Sequence, residues 1–128
     1  MITLEPEEWD AVNSRAFQRL RRIKQLALTD LVYPGAVHSR FDHSLGVRHV
    51  ARRLAAELGL SEHERAVVCV AALCHDVGHG PFSHVSEQVA DELSGKHGVH
   101  EKVSAMILRH DEELRKHSVT ASVTRQRP

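Results

Sequence analysis

The sequence predicts an all-α domain. Apolar residues recur at steps of three and four along several segments, strand-like alternation is scarce, and glycine, proline and capping residues separate the segments. At 128 residues the chain fits one domain with a single core, and it carries no internal repeat or low-complexity stretch.

The elements follow in order. Asn13 or Ser14 can cap a helix through Phe17, Leu20, Ile23 and Leu26, and Tyr33-Pro34-Gly35 is a turn signal that ends any continuation. Asp42 can cap the next helix, with Leu45, Val50, Leu54 and Leu58 among its apolar positions and Gly59 at its end. Ser61 and Glu64 form a capping box before the run Ala66–Leu73, which is apolar almost all round and therefore expected to be central and buried. Gly78, Gly80 and Pro81 break that helix. Ser83 can cap a short helix through Val85, Val89 and Leu93 that stops at Gly95. A last helix starts near Val99, with Val103, Ile107 and Leu114 on one side and Met106 beside them. About five helices make up residues 1–117, and 118–128, without helical period, read as a disordered tail.

Composition narrows the function. With 17 basic and 17 acidic residues the net charge is zero, so bulk charge implies no nucleic-acid or anionic-membrane partner. Arg15, Arg19, Arg21, Arg22 and Lys24 crowd one early segment, with Arg40, Arg48, Arg52 and Arg53 after it; most read as a solvated helix face. Cys69 and Cys74 lie about 140° apart on one helix, which disfavours a mutual disulfide. No apolar run is long enough for a membrane span and no signal pattern opens the chain, which suggests a cytoplasmic setting.

The chemistry concentrates in Leu73-Cys74-His75-Asp76-Val77-Gly78-His79-Gly80-Pro81-Phe82-Ser83-His84, where three histidines and a carboxylate lie within ten residues. Neutral imidazole and carboxylate ligate divalent metals, and imidazole also titrates near neutral pH. His75 and Asp76 can turn toward one metal at a helix end. A third ligand must come from another element, and His43, inside Arg40-Phe41-Asp42-His43-Ser44-Leu45-Gly46-Val47, is the best candidate. Two imidazoles and a carboxylate suit a first-row transition ion with open positions, such as iron, manganese or zinc. His38, His49, His63, His97, His110 and His117 sit in loops or on polar faces and receive no role.

These two segments together resemble the HD superfamily of metal-dependent phosphohydrolases, and within it the deoxynucleoside triphosphate triphosphohydrolase branch. The upstream Phe17-Gln18-Arg19-Leu20-Arg21-Arg22-Ile23-Lys24-Gln25-Leu26, Val32-Tyr33-Pro34-Gly35-Ala36 and His100-Glu101 fit the same branch, so the resemblance runs roughly from Trp9 to Lys116. It implies an HD-like helical bundle. It implies that His43, His75 and Asp76 ligate the metal and that His79, His84 and His100 surround the substrate phosphates, with His84 as proton donor. Glu87, one turn after His84, matches an orienting carboxylate; Arg40 matches a phosphate contact; Gln25 and Leu26 match positions against the nucleotide.

The resemblance also implies a closing aspartate ligand from a later helix, with further pocket residues, many tens of residues beyond His100-Glu101. After Asp76 the sequence holds only Asp91 and Asp111, and neither spacing suits that ligand. The chain is therefore expected to be an N-terminal piece of a longer protein, and a homo-oligomer of the full-length protein is a further expectation. Two functions stay open: hydrolysis of a nucleotide or other phosphate ester, foremost a deoxynucleoside triphosphate to deoxynucleoside and triphosphate, or metal or nucleotide binding with little turnover. Cleavage of cyclic dinucleotides is disfavoured because no Gly-Tyr-Pro follows the His-Asp pair.

Overall fold

The computed structural model describes residues 2–95 and 97–115; the expected tail lies outside them. Seven α-helices occur there: α1 Pro6–Asn13, α2 Arg15–Gln18, α3 Arg40–Glu57, α4 Glu62–Cys74, α5 His84–Ser94, α6 Val99–His110 and α7 Glu112–Arg115. Short 3-10 turns span Arg19–Arg22 and Thr29–Leu31, and the described residues contain no strand beyond an isolated bridge between Lys24 and Ser39. The all-α expectation holds, with more and shorter helices than the sequence suggested.

Helix α3 packs on α4, and α1 also packs against α4. Phe17, Leu20, Ile23, Phe41, Val70, Leu73, Cys74, Val77, Leu108 and Leu114 fill the core. Cys69 and Cys74 are buried free thiols, and burial pushes the Cys74 thiol up to about 12. The Ser61–Glu64 capping box starts α4, and Gly95 ends α5 in the left-handed conformation that glycine adopts without strain.

Several details differ from the expectation. The helix from Ser14 stops at Gln18, because the chain tightens into a 3-10 turn and Ile23 then extends. Hydrogen bonds from Gln25 N to the His38 carbonyl (3.0 Å) and from Arg40 N to the Ile23 carbonyl (2.8 Å) lace residues 23–25 to 38–40 instead. Helix α3 begins one turn early: Ser39 is its cap, and Asp42 is the third residue of the reciprocal box. Its buried stripe is Phe41, Ser44, Arg48 and Ala55, while Val50, Leu54 and Leu58 face outward. Arg48 is no surface cation; its guanidinium pairs with the buried Glu8 carboxylate of α1, an element the apolar spacing did not reveal. Helix α5 carries Val85, Val89 and Leu93 as expected, and all three are exposed.

Candidate metal centre

His75 follows the last residue of α4, so the helix hands the chain to a tight loop carrying Asp76 and His79. Why the loop sits where it does is visible at Gly78. A Cβ there would lie 2.3 Å from Ser104 N and 2.5 Å from the His100 carbonyl of α6, so only a hydrogen fits. Ser104 then accepts from Gly78 N (2.8 Å) and donates to the His75 carbonyl (3.0 Å), clamping the loop to α6. The sequence suggests that Gly78 bends the loop; its positive-φ residues are instead Phe82 (64°) and Ser83 (50°), each strained by about 1–3 kcal/mol.

His43, from the first turn of α3, faces this loop. His43 Nε2 lies 3.7 Å from Asp76 Oδ2, and His75 Nε2 lies 3.2 Å from Asp76 Oδ1. One ligand atom from each of the three residues lies within 4.8 Å of the others. Donors on one ion at bond lengths of about 2.0–2.2 Å are up to about 4.4 Å apart, so the trio is close to coordinating geometry. His75 Nδ1 is 2.8 Å from the Ala72 carbonyl. That bond places the ring proton on Nδ1 and leaves the Nε2 lone pair toward Asp76, the outer support common to metal-bound imidazoles.

Electrostatics agree. Burial raises the Asp76 carboxyl, but the His79 hydrogen bond and the charges of His75 and Arg40 outweigh it and hold the group well below the usual carboxylate range. Burial lowers the His43 imidazole, against Asp76 and with His75 and Arg40, which keeps it neutral and its lone pair free at neutral pH. Both ligand types are thus in the form a cation needs. The donor set fits a divalent transition ion.

The other candidate residues extend from Asp76 as a connected chain. His79 is buried, with Nε2 3.4 Å from Asp76 Oδ1, its ring stacked on His100 at 4.3 Å, and its Nδ1 without a hydrogen-bond partner. Glu87 contacts two imidazoles. Its Oε2 lies 3.1 Å from His84 Nδ1, and its Oε1 bonds His100 Nδ1 from α6. Burial raises the Glu87 carboxyl, but these two bonds prevail and lower it. The His84 side chain is largely exposed.

Arg40 is buried rather than a surface cation. Its Nη1 donates to Asp76 Oδ2 (2.5 Å), its Nε donates to Ser83 Oγ (3.1 Å), and its Nη2 lies 3.5 Å from His84 Nε2. Gln25 and Leu26 are loop residues, not helical ones. Leu26 joins Leu28, Phe82 and Val85 along an open apolar groove of about 600 Å³. Arg19 and Arg21, expected on a solvated face, have structural partners: Arg19 donates to the Val77 carbonyl (2.7 Å), and Arg21 lies over the Phe41 ring at 3.7 Å. Asp91 and Asp111 are engaged elsewhere. Asp91 accepts from Gly98 N and Val99 N, and Asp111 accepts from Leu114 N.

Sequence reasoning missed Ser104 and the Glu8–Arg48 pair, and it read Ser83 only as the cap of α5, a side-chain bond that Ser83 does not make. Glu8 left a signal in the Pro6-Glu7-Glu8 opening of a helix.

Known proteins are similar to this chain in sequence. A deoxynucleoside triphosphate triphosphohydrolase SAMHD1 homolog of Dictyostelium discoideum is 45% identical over 107 residues, 77% of this chain and 21% of the relative. The deoxynucleoside triphosphate triphosphohydrolase SAMHD1 of Bos taurus is 45% identical over 118 residues, covering 85% of this chain and 20% of that protein. The uncharacterized protein YwfO of Bacillus subtilis is 51% identical over 86 residues, 63% of this chain and 20% of that protein. The chain thus spans about a fifth of the length of these relatives. The family model for the HD domain matches residues 40–126, which take in both His43 and the His75-Asp76 pair, and the chain belongs to the HD domain family.

Proposed function

We propose that the chain is the metal-binding part of a phosphohydrolase acting on a nucleotide, foremost a deoxynucleoside triphosphate cleaved to deoxynucleoside and triphosphate. One observation carries the reading: the His43 imidazole of α3 converges with His75 and Asp76 at the end of α4, and the His75 ring is held in the ligating tautomer by the Ala72 carbonyl. His43, His75 and Asp76 hold one divalent transition ion. When bound, such an ion polarises a phosphoryl oxygen and makes water a better nucleophile.

The remaining roles belong to side chains. Arg40, His79 and His100 offset the negative charge of the phosphates, where preorganised donors contribute most to phosphoryl transfer. His84 gives a proton to the leaving oxygen, and Glu87 orients its ring through Nδ1. Gln25 and Leu26 meet the nucleoside, and Leu26 lines the groove beside Phe82 that has room for it.

A second reading, binding with little turnover, draws on one observation as well. Among the described residues neither Asp91 nor Asp111 reaches the trio, so no fourth carboxylate completes it. Release of deoxynucleoside and triphosphate with added manganese, iron or zinc separates the two. Turnover abolished by Asp76→Asn supports the enzyme; metal uptake without turnover supports the binding domain; no metal uptake contradicts both.

A further inference from the structure

Ser83 stands where three segments of the site meet. Its Oγ donates to the Lys24 carbonyl (2.7 Å) and accepts from Arg40 Nε (3.1 Å). Only 2% of the residue is exposed. Lys24 precedes Gln25 and Leu26, Arg40 opens the helix of His43, and Ser83 itself precedes His84. One hydroxyl therefore joins the loop expected to meet the nucleoside to the buried arginine.

The backbone at Ser83 is unfavourable for a serine. It holds φ 50° and ψ −128°, directly after Phe82 at φ 64°. Glycine adopts that conformation without a side-chain penalty, whereas L-residues with a Cβ rarely do. Ser83 also occupies the N-cap position of α5 yet makes no side-chain cap bond, so its hydroxyl is not serving the usual purpose of a serine there. What the hydroxyl does instead is hold Arg40.

A guanidinium is a rigid planar fork. With Nη1 on Asp76 and Nε on Ser83, its plane is determined, and Nη2 is directed beside His84 Nε2 at 3.5 Å. We propose that Ser83 is a positioning residue that sets the plane of the Arg40 guanidinium so that Nη2, next to His84, receives a phosphate oxygen of the bound substrate. This rests on the metal-dependent phosphohydrolase reading of the same site. The strained loop at Phe82 and Ser83 is then tolerated because it delivers the hydroxyl to Arg40 Nε.

The test uses the full chain loaded with manganese and inorganic triphosphate as the probe, followed by calorimetry, metal analysis and thermal melting. Ser83→Ala should weaken triphosphate binding about tenfold, the size of one lost hydrogen bond to a charged group, with manganese content unchanged. Ser83→Gly should show the same loss of affinity but melt above Ser83→Ala, because the strain is relieved while the hydroxyl is gone. A merely structural serine would make affinity follow melting temperature. Arg40→Lys keeps the charge but places a methylene where arginine has Nε, so it should also weaken binding. Adding Ser83→Ala to Arg40→Lys should cost less than about twofold more, since the pair acts as a unit.

Wild-type affinity in Ser83→Ala, recovery of affinity in Ser83→Gly, or additive losses in the double variant would each overturn the assignment. Should Ser83→Ala fail to fold, the glycine and lysine variants decide by themselves. If the wild-type chain takes up neither manganese nor triphosphate, the phosphohydrolase reading fails and Ser83 with it. If it takes up both and only the Ser83 comparisons fail, the fault lies with Ser83 alone.

Discussion

Asp76 is the residue on which the site turns. One buried carboxylate faces His43, His75, His79 and Arg40 at once, so its charge serves the candidate ion and balances a buried guanidinium. Residues around it divide by distance. His75→Ala removes a donor and should lose both metal and turnover, whereas His84→Ala should keep metal content and lower turnover about 100-fold, within the usual range for a general acid. Parallel metal analysis and kinetics check this, and equal metal loss in the two variants would move His84 into the ligand set. Gly78→Ala should destabilise the fold by about 1–3 kcal/mol or more, because its Cβ meets backbone atoms of α6 that cannot turn aside. Denaturant unfolding reads that directly.

At the scale of elements, the caps and one buried pair position the ligands. Ser61→Ala removes the cap of α4, whose far end presents His75, and should cost about 0.5–2 kcal/mol in unfolding free energy. Both capping boxes also give a pH dependence. Hydrogen bonds from Ser39 lower the Asp42 carboxyl and those from Ser61 lower that of Glu64, from ordinary values of 3.8 and 4.5. A carboxylate with a depressed native pKa stabilises the fold fully above its ordinary value and loses that contribution as pH falls through the native one. Melting temperature should therefore fall steadily between pH 5 and pH 3, and less steeply in Glu64→Gln. Glu8→Ala is expected to be more severe, about 3–5 kcal/mol, because it leaves the Arg48 guanidinium buried without its counter-charge. Replacing both partners by apolar residues should recover most of that loss in the same unfolding measurement.

These elements also mark where sequence reading stops. The capping box of α4 and the glycine stop of α5 are local chemistry, so Ser61, Glu64 and Gly95 were legible. The buried face of α3 was not, since Arg48 enters the core only because α1 brings Glu8 forty residues away to meet it. The exposure of the α5 stripe was not legible for a related reason: periodicity reports that an apolar face exists, not that a neighbour covers it. At the site, motif density singled out His43, His75 and Asp76, and the structure brings them together. The bridge from Glu87 to His100 and the clamp of Ser104 join residues on different helices, and no spacing within one helix encodes them.

For the whole molecule, a net charge of zero and a small core leave one distinctive asset, the chain of imidazoles and carboxylates from His43 to His84. No helix among the described residues is long and apolar enough to cross a membrane. The relatives place this asset in the HD domain family, while their greater length leaves the complete reaction a matter for assay. The central claim is that His43, His75 and Asp76 form a single metal centre. Titration of the metal-free chain with manganese, followed calorimetrically, tests it most directly. Saturable uptake of about one ion per chain is expected, weakened at least 10-fold in both His43→Ala and Asp76→Asn variants that remain folded. No saturable uptake, or uptake unchanged when both His43 and Asp76 are replaced, would contradict it.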